Sequence, residues 1–245
     1  MTSSNLAKAA ASAASSAANP LGSAPGYKWL VDDNNVNMAM ALPPPRVVTI
    51  DAQPQTVTID LNRTVLIVVD MQNDYFPGGR WPLAGAEEAA TRAAGLLAAF
   101  RAAGEPVIHI RHESTREPSP FFTPGTPGAE IHPSLAPERG EATIVKNFPN
   151  SFRSTGLHEV LEGWRAEHLV IVGAMTHMCI DATVRAAADL GYRVTVAGDA
   201  CATRALEFRG REVSADDVQA AYLAALAFGY ASVITADEAA GLVSA

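Results

Sequence analysis

From residue 64 onward the chain repeats one pattern, a short β-branched run followed by an amphipathic helical stripe, and this restricts its fold most. "TVLIVVD" (64–70) is almost continuously apolar and ends on a carboxylate, as in a strand covered on both faces. "AEEAATRAAGLLAAFRAAG" (86–104) then places Ala89, Ala93, Leu96, Leu97 and Phe100 on one stripe, closed by Gly104. Further strand-like runs are "PVIHI" (106–110), "ATIVK" (142–146), "HLVIVG" (168–173), "RVTVAGD" (193–199) and "SVITA" (232–236). Between them lie three helical stretches: "LHEVLEGW" (157–164), about His177 to Leu190 stopped by Gly191, and "SADDVQAAYLAALAFG" (214–229) opening on a Ser cap. Six strands joined by helices pair in parallel through right-handed crossovers. The expected fold is α/β, a three-layer α-β-α sandwich around a six-stranded, Rossmann-like parallel sheet.

The 60 residues before this pattern differ in character. Residues 1–26 are Ala/Ser/Gly/Pro-rich, with Leu6 and Leu21 as their large apolar residues, too little to offset ordering entropy. They read as a low-complexity, disordered tail. In residues 27–60, Val48 and Ile50, then Val57 and Ile59, alternate at strand period, while Pro43, Pro44, Pro45 and Pro54 interrupt it. This segment reads as an arm lying on the body or on a neighbouring subunit, and residues 61–245 as one folded domain. A formal charge of -8 with no Lys/Arg cluster argues against nucleic acid. No apolar run is long enough to span a membrane. Two cysteines in 245 residues suit a reducing, cytoplasmic compartment.

In open parallel sheets, ligands bind beyond the carboxyl ends of the strands. The residues just past those ends are Asp70; His112 and Glu113; Lys146; the segment around Cys179; and Asp199 with Cys201. Asp70, Lys146 and Cys179 combine a carboxylate base, a cation and a thiol. A helix N-terminus and an ammonium both lower a thiol's pKa, and a carboxylate can take its proton. The set suggests acyl transfer. The plainer readings are a buried cysteine, a strand-end cap and a solvated lysine.

Three blocks carry a resemblance: "LIVVDMQNDYFPGG", "IVKNFPNSFRST" and "IVGAMTHMCIDATVRAAADLGYRVTVAGDACAT". They resemble the signature blocks of the isochorismatase-like cysteine hydrolases, in that family's order, from about Asp60 to the C-terminus. The superfamily includes nicotinamidases, N-carbamoylsarcosine amidohydrolase, and ureidoacrylate and biuret hydrolases. The resemblance implies Cys179 as nucleophile, Asp70 as general acid/base and Lys146 as the active-site lysine. It also implies a cis bond from Ala174 to Met175, and an oxyanion hole from the amides of Met175 and Cys179. The implied reaction cleaves a C–N bond in a small amide, carbamoyl or ureide substrate through a thioester, without a cofactor, in a homodimer or homotetramer. Some members cleave the vinyl ether of isochorismate with another residue at the cysteine position, and Cys179 argues against that branch.

Metal-containing nicotinamidases carry an Asp-x-His motif that is missing here. His109, His112 and His132 are scattered, so no metal site is expected, and His109 reads as a core or supporting residue. Asn73, Tyr75, Phe76, Trp81, Phe148 and Phe152 flank the blocks as candidate pocket residues. The 112–141 stretch, with Phe121 and Phe122, reads as a lid or specificity loop. Arg111, as a clamp for an anionic substrate, and His177 complete the candidates. "EFRGREVSADD" (207–217) reads as a polar cover over the pocket mouth, and Asp199 and Cys201 as cap and filler. Two alternatives remain at this level: a metal-containing nicotinamidase-type amidase, and a non-catalytic small-molecule binder.

Overall fold

The computed structural model describes residues 64–243 in full. Before them it describes the backbone of four strands, β1 (Lys28–Asp32), β2 (Asn35–Ala41), β3 (Val47–Ala52) and β4 (Gln55–Asp60). β1 pairs antiparallel with β2, and β3 with β4, where Val48 faces Ile59 and Ile50 faces Val57. The tail expected over residues 1–26 and the prolines at 43–45 and 54 lie outside the described residues.

The body runs β5 (Thr64–Val69), α1 (Ala86–Ala103), β6 (Val107–His112), β7 (Ala142–Lys146), α2 (Leu157–Gly163), β8 (His168–Ala174), α3 (Asp181–Asp189), β9 (Arg193–Ala202), a hairpin of β10 (Leu206–Phe208) and β11 (Arg211–Val213), α4 (Ala215–Gly229), β12 (Ser232–Ile234) and α5 (Ala236–Val243). β12-β9-β8-β5-β6-β7 form one six-stranded sheet, parallel throughout. The expected three-layer architecture holds.

Why the central strands carry no polar alternation is plain from their burial: every residue of β5 and β8 is buried. Leu66 and Val68 face one layer, with Leu96, Leu97 and Phe100 of α1 and Val243 of α5. Val65, Ile67 and Val69 face the other, with Leu157 and Leu161 of α2, Val184 of α3 and Leu226 of α4. Each fully buried Leu, Ile or Phe contributes about 1.5–3 kcal/mol.

Helix ends follow their sequence signals. Gly104 adopts φ 74 after α1, and its N–H donates to the carbonyls of Phe100 and Arg101. Ser214 caps α4 by accepting from the Asp217 amide. α5 was not foreseen, and Asp199 caps it by accepting from the Ala236 N–H at 2.7 Å. Cys201 is buried, so the reading of these two residues as cap and filler stands.

Two strands outrun their expected ends. β6 continues through Arg111 to His112, and β9 through Cys201 to Ala202. Ile171 pairs with Val196 but Gly173 with Cys201, so β9 bulges against the end of β8. Gly173 sits at φ +131, and a Cβ there would fall 2.0 Å from the Val69 carbonyl oxygen. Glycine alone lets β8 approach β5 at the rim where Asp70 and Cys179 emerge. Among the described residues no helix is long and apolar enough to cross a membrane.

Candidate active site

Chain order runs from β5 outward through β6 to β7, then returns to the other side of β5 as β8. The gap between β5 and β8 is thus the topological switch point of the sheet. Asp70 follows β5, Cys179 follows β8, His112 ends β6 and Lys146 ends β7. Four neighbouring strands therefore deliver a thiol, a carboxylate, an imidazole and an ammonium along one rim, in that spatial order.

Asp70 is fully buried and sits at φ 51, in the left-handed region. A non-glycine residue held there costs about 1–3 kcal/mol. Its N–H donates to the Ile110 carbonyl at 3.0 Å, which fixes the turn against β6. Lys146, 1% exposed, reaches across β6 to put Nζ 2.6 Å from Asp70 Oδ2. The same ammonium lies 3.0 Å from His112 Nδ1 and donates to the Phe148 carbonyl at 3.1 Å. Burial works against the Lys146 charge, but Asp70 and Cys179 outweigh it and hold its pKa above the ordinary lysine value.

The cis bond implied by the resemblance is present between Ala174 and Met175. After it, Thr176–Ile180 forms a single π-turn before α3, so Cys179 sits in this wider turn and not in the first turn of an α-helix. Its thiol is within hydrogen-bonding reach of Asp70 and Lys146. Burial first, then Asp70, push its pKa well above the ordinary thiol value, against the pull of Lys146. The cation and the carboxylate beside the thiol thus act on it in opposite senses, Lys146 favouring the thiolate and Asp70 opposing it.

Asp70, His112 and Cys179 also bring a carboxylate oxygen, a ring nitrogen and Sγ within 4.8 Å of one another. That donor set suits a thiophilic ion in kind. Here, however, all three members already face the Lys146 ammonium.

Other expected pocket residues divide. Tyr75 is buried close enough to Cys179 and Asp70 that, after burial itself, they push its hydroxyl pKa up, and its ring lies 4.5 Å from that of Phe122. Phe122 is fully buried, with its ring 6.0 Å from His112, and Phe121 packs between Tyr75 and Trp81. Trp81 also carries the Arg204 guanidinium 4.4 Å above its ring. Phe148 contributes its carbonyl to Lys146, while its ring lies under Arg153.

The remaining candidates are committed elsewhere. Phe152 stacks on Tyr192 beside His158, over the outer helix layer. Arg111 is tied to both Glu130 oxygens at 3.0 Å and to Glu113 at 2.7 Å, so it is no free anion clamp. His177 Nδ1 lies 2.6 Å from the Thr203 hydroxyl, with Tyr222 packed near its ring. Asn73 donates to the Pro127 carbonyl, and Phe76 stacks on His132. Asn73, Phe76 and His132 line a cavity of about 570 Å³ whose walls include none of Asp70, Lys146 or Cys179.

Two further residues of the turn after β5, Gln72 and Asp74, carry no signal in the local sequence pattern yet support the site. Gln72 is fully buried; Nε2 donates to the carbonyls of His112 and Ala129, and Oε1 accepts from the His112 N–H at 2.7 Å. Asp74 accepts from the Phe122 and Arg80 amides, holding Phe122 at φ 56. Alternate members of "DMQND" thus serve the site and the loop over it: Asp70 as a member of the site, Gln72 and Asp74 as anchors of the 112–141 stretch. Those contacts tie the stretch to the turn after β5.

Sequence and structure comparisons place the chain among known hydrolases. The isochorismatase domain family matches residues 64–238. The chain is 47% identical over 174 residues to the isochorismatase family protein YddQ of Bacillus subtilis (strain 168), covering 71% of this chain and 97% of that one. The crystal structure of an isochorismatase hydrolase from Oleispira antarctica superposes with a TM-score of 0.71 at 55% identity, covering 74% of this chain and 97% of the other. The ureidoacrylate amidohydrolase RutB of Caulobacter segnis is 29% identical over 197 residues, covering 67% of this chain and 82% of its own. With its α/β sheet and the matched span from 64 to 238, the chain belongs to the isochorismatase family of hydrolases, which includes amidohydrolases.

Proposed function

We propose that this hydrolase cleaves a C–N bond in a small amide, carbamoyl or ureide substrate through a thioester on Cys179. The observation that carries this reading is the Cys179 thiol set within reach of both the Asp70 carboxylate and the Lys146 ammonium. Asp70 takes the thiol proton as Sγ attacks the carbonyl carbon, while Lys146 stabilises the charges on both neighbours. The carbonyl electrons move to oxygen, and the amides of Met175 and Cys179 receive the oxyanion. As the C–N bond breaks, Asp70 returns the proton to nitrogen, and ammonia or an amine leaves. Water then gives a proton to Asp70 and adds to the thioester carbonyl. The C–S bond breaks, the acid departs and the proton returns to sulfur.

Ureidoacrylate amidohydrolase, a relative by sequence, carries out C–N hydrolysis by its name, which supports the reading. The test is ammonia release across nicotinamide, carbamoylated amino acids, biuret and ureidoacrylate, with wild type and Cys179→Ala side by side. Turnover of at least one substrate by the wild type, lost in the variant, is expected. Full turnover by Cys179→Ala would overturn the proposal.

A further inference from the structure

The family resemblance assigns roles to Asp70, Lys146 and Cys179 but none to the residue standing between them. His112 ends β6, the strand between β5 and β7, with Lys146 as its register partner on β7. The Lys146 ammonium has four neighbours: Asp70 Oδ2, an ion pair at 2.6 Å, the Cys179 thiol within reach, and two hydrogen-bonding acceptors, the Phe148 carbonyl and His112 Nδ1. The lysine has no acceptor function of its own, so His112 Nδ1 must be the acceptor in this contact. That fixes the ring as a neutral imidazole whose proton is on Nε2. Among the described residues Nε2 has no hydrogen-bond partner, and the ring is half-buried, so this N–H is left open at the edge of the thiol site.

Gln72 holds the backbone of His112 at both its N–H and its carbonyl, which fixes the strand end that carries the ring. We propose that His112 is a positioning residue of the catalytic centre: its Nδ1 accepts a proton of the Lys146 ammonium and so orients that charge between Asp70 and Cys179. The groups facing the ring are Asp70 from the end of β5, Lys146 from β7, and Cys179 from the π-turn after β8. Burial, with the Lys146 charge acting in the same sense and Asp70 against it, lowers the imidazole pKa to about 4. The ring therefore stays a neutral acceptor across the neutral range. Protonating it would remove the acceptor and set two cations side by side.

The tautomer needs no substrate to be tested. Long-range proton–nitrogen NMR of the ¹⁵N-histidine-labelled protein, with His112 assigned by its loss in His112→Ala, should show an Nε2–H ring with bare Nδ1 from about pH 5 to 9, a window in which an ordinary histidine changes its charge. An Nδ1–H ring, or protonation near the ordinary value of about 6.5, would overturn the proposal. The second arm rests on the proposed hydrolysis and uses whichever amide the ammonia-release panel identifies. His112→Ala should lower kcat by about tenfold or more with little change in KM, the scale of one lost charge-assisted hydrogen bond. His112→Asn, whose Oδ1 can replace Nδ1 as acceptor, should recover kcat to within about threefold of wild type. A kcat for His112→Ala within about twofold of wild type, or no rescue by asparagine, overturns the assignment. If no amide is turned over but the expected tautomer is seen, the hydrolysis reading fails while the positioning role stands.

Discussion

Lys146 Nζ lies 2.6 Å from Asp70 Oδ2 although β6 runs between the strands that carry them. Two strand spacings amount to about 10 Å, a gap that a four-carbon stem reaching toward a carboxylate can close and a shorter cation cannot. Both side chains are fully buried, so each charge relies on the other. Lys146→Met therefore leaves a buried carboxylate unpaired and should cost about 3–5 kcal/mol of stability. Lys146→Met combined with Asp70→Asn should regain much of that stability while remaining inactive. Urea denaturation of the two single variants and the double variant measures the coupling; strictly additive losses would mean that the pair does not interact.

Gln72→Leu keeps the volume of a buried side chain and deletes its three hydrogen bonds to backbone groups of His112 and Ala129. Stranding those groups should cost about 3 kcal/mol and lower kcat by about tenfold as His112 shifts. The urea midpoint and kcat should fall together. A variant with a lower midpoint but full kcat would separate the loop anchor from the site.

Much of this arrangement was legible in the sequence, and the gaps have physical reasons. β5 and β8 announce themselves because strands covered on both faces must be continuously apolar, and the strand-end rule then picks out Asp70, Lys146 and Cys179. His112 stood among the strand-end residues but received no role. The apolar run of β6 ends at Ile110, because Arg111 and His112 are polar and half-buried, yet the strand continues for those two residues. Extending the strand would have put His112 level with Lys146. Gln72 and Asp74 act on partners 40 to 57 residues away, which no local pattern encodes. The same holds for the commitment of Arg111 to Glu130 and of Phe152 to Tyr192. The π-turn at Thr176–Ile180 escaped because its composition is that of an ordinary helix start.

Two glycine substitutions should move stability in opposite directions. At Gly173 the backbone is left-handed and a Cβ would collide with the Val69 carbonyl oxygen. Gly173→Ala should therefore cost about 3 kcal/mol or more and separate β8 from β5 beside Asp70 and Cys179. Gly95 lies on the exposed face of α1, with nothing within 4 Å of an added Cβ. Gly95→Ala should stabilise by about 0.5–1 kcal/mol through helix propensity alone. Thermal melts of the two proteins give the comparison, and equal shifts would contradict it.

At the opposite end of the sheet from the active site, Glu141 joins β7 to α1 and β6. It takes Arg101 through both carboxylate oxygens at 2.7 and 2.8 Å, lies 2.8 Å from His109 Nε2, and accepts from the Glu138 amide. Burial raises its pKa, but Arg101, His109 and that amide outweigh burial and hold the group well below the usual carboxylate range. A carboxylate whose folded pKa lies below its unfolded value binds fewer protons when folded. Its stabilisation is therefore complete above the ordinary value of about 4.3 and is lost as pH falls through that value toward the folded one. Glu141→Gln removes this linkage and also unpairs Arg101. The variant should be less stable than wild type at pH 7, and its stability should fall less steeply between about pH 5 and 3. Urea unfolding at several pH values within that window gives both slopes, and parallel curves would show that Glu141 does not carry the acid sensitivity. Because the cluster lies away from Asp70, Lys146 and Cys179, turnover by the folded variant at pH 7 should stay near the wild-type value, separating this acid effect on folding from any titration at the active site.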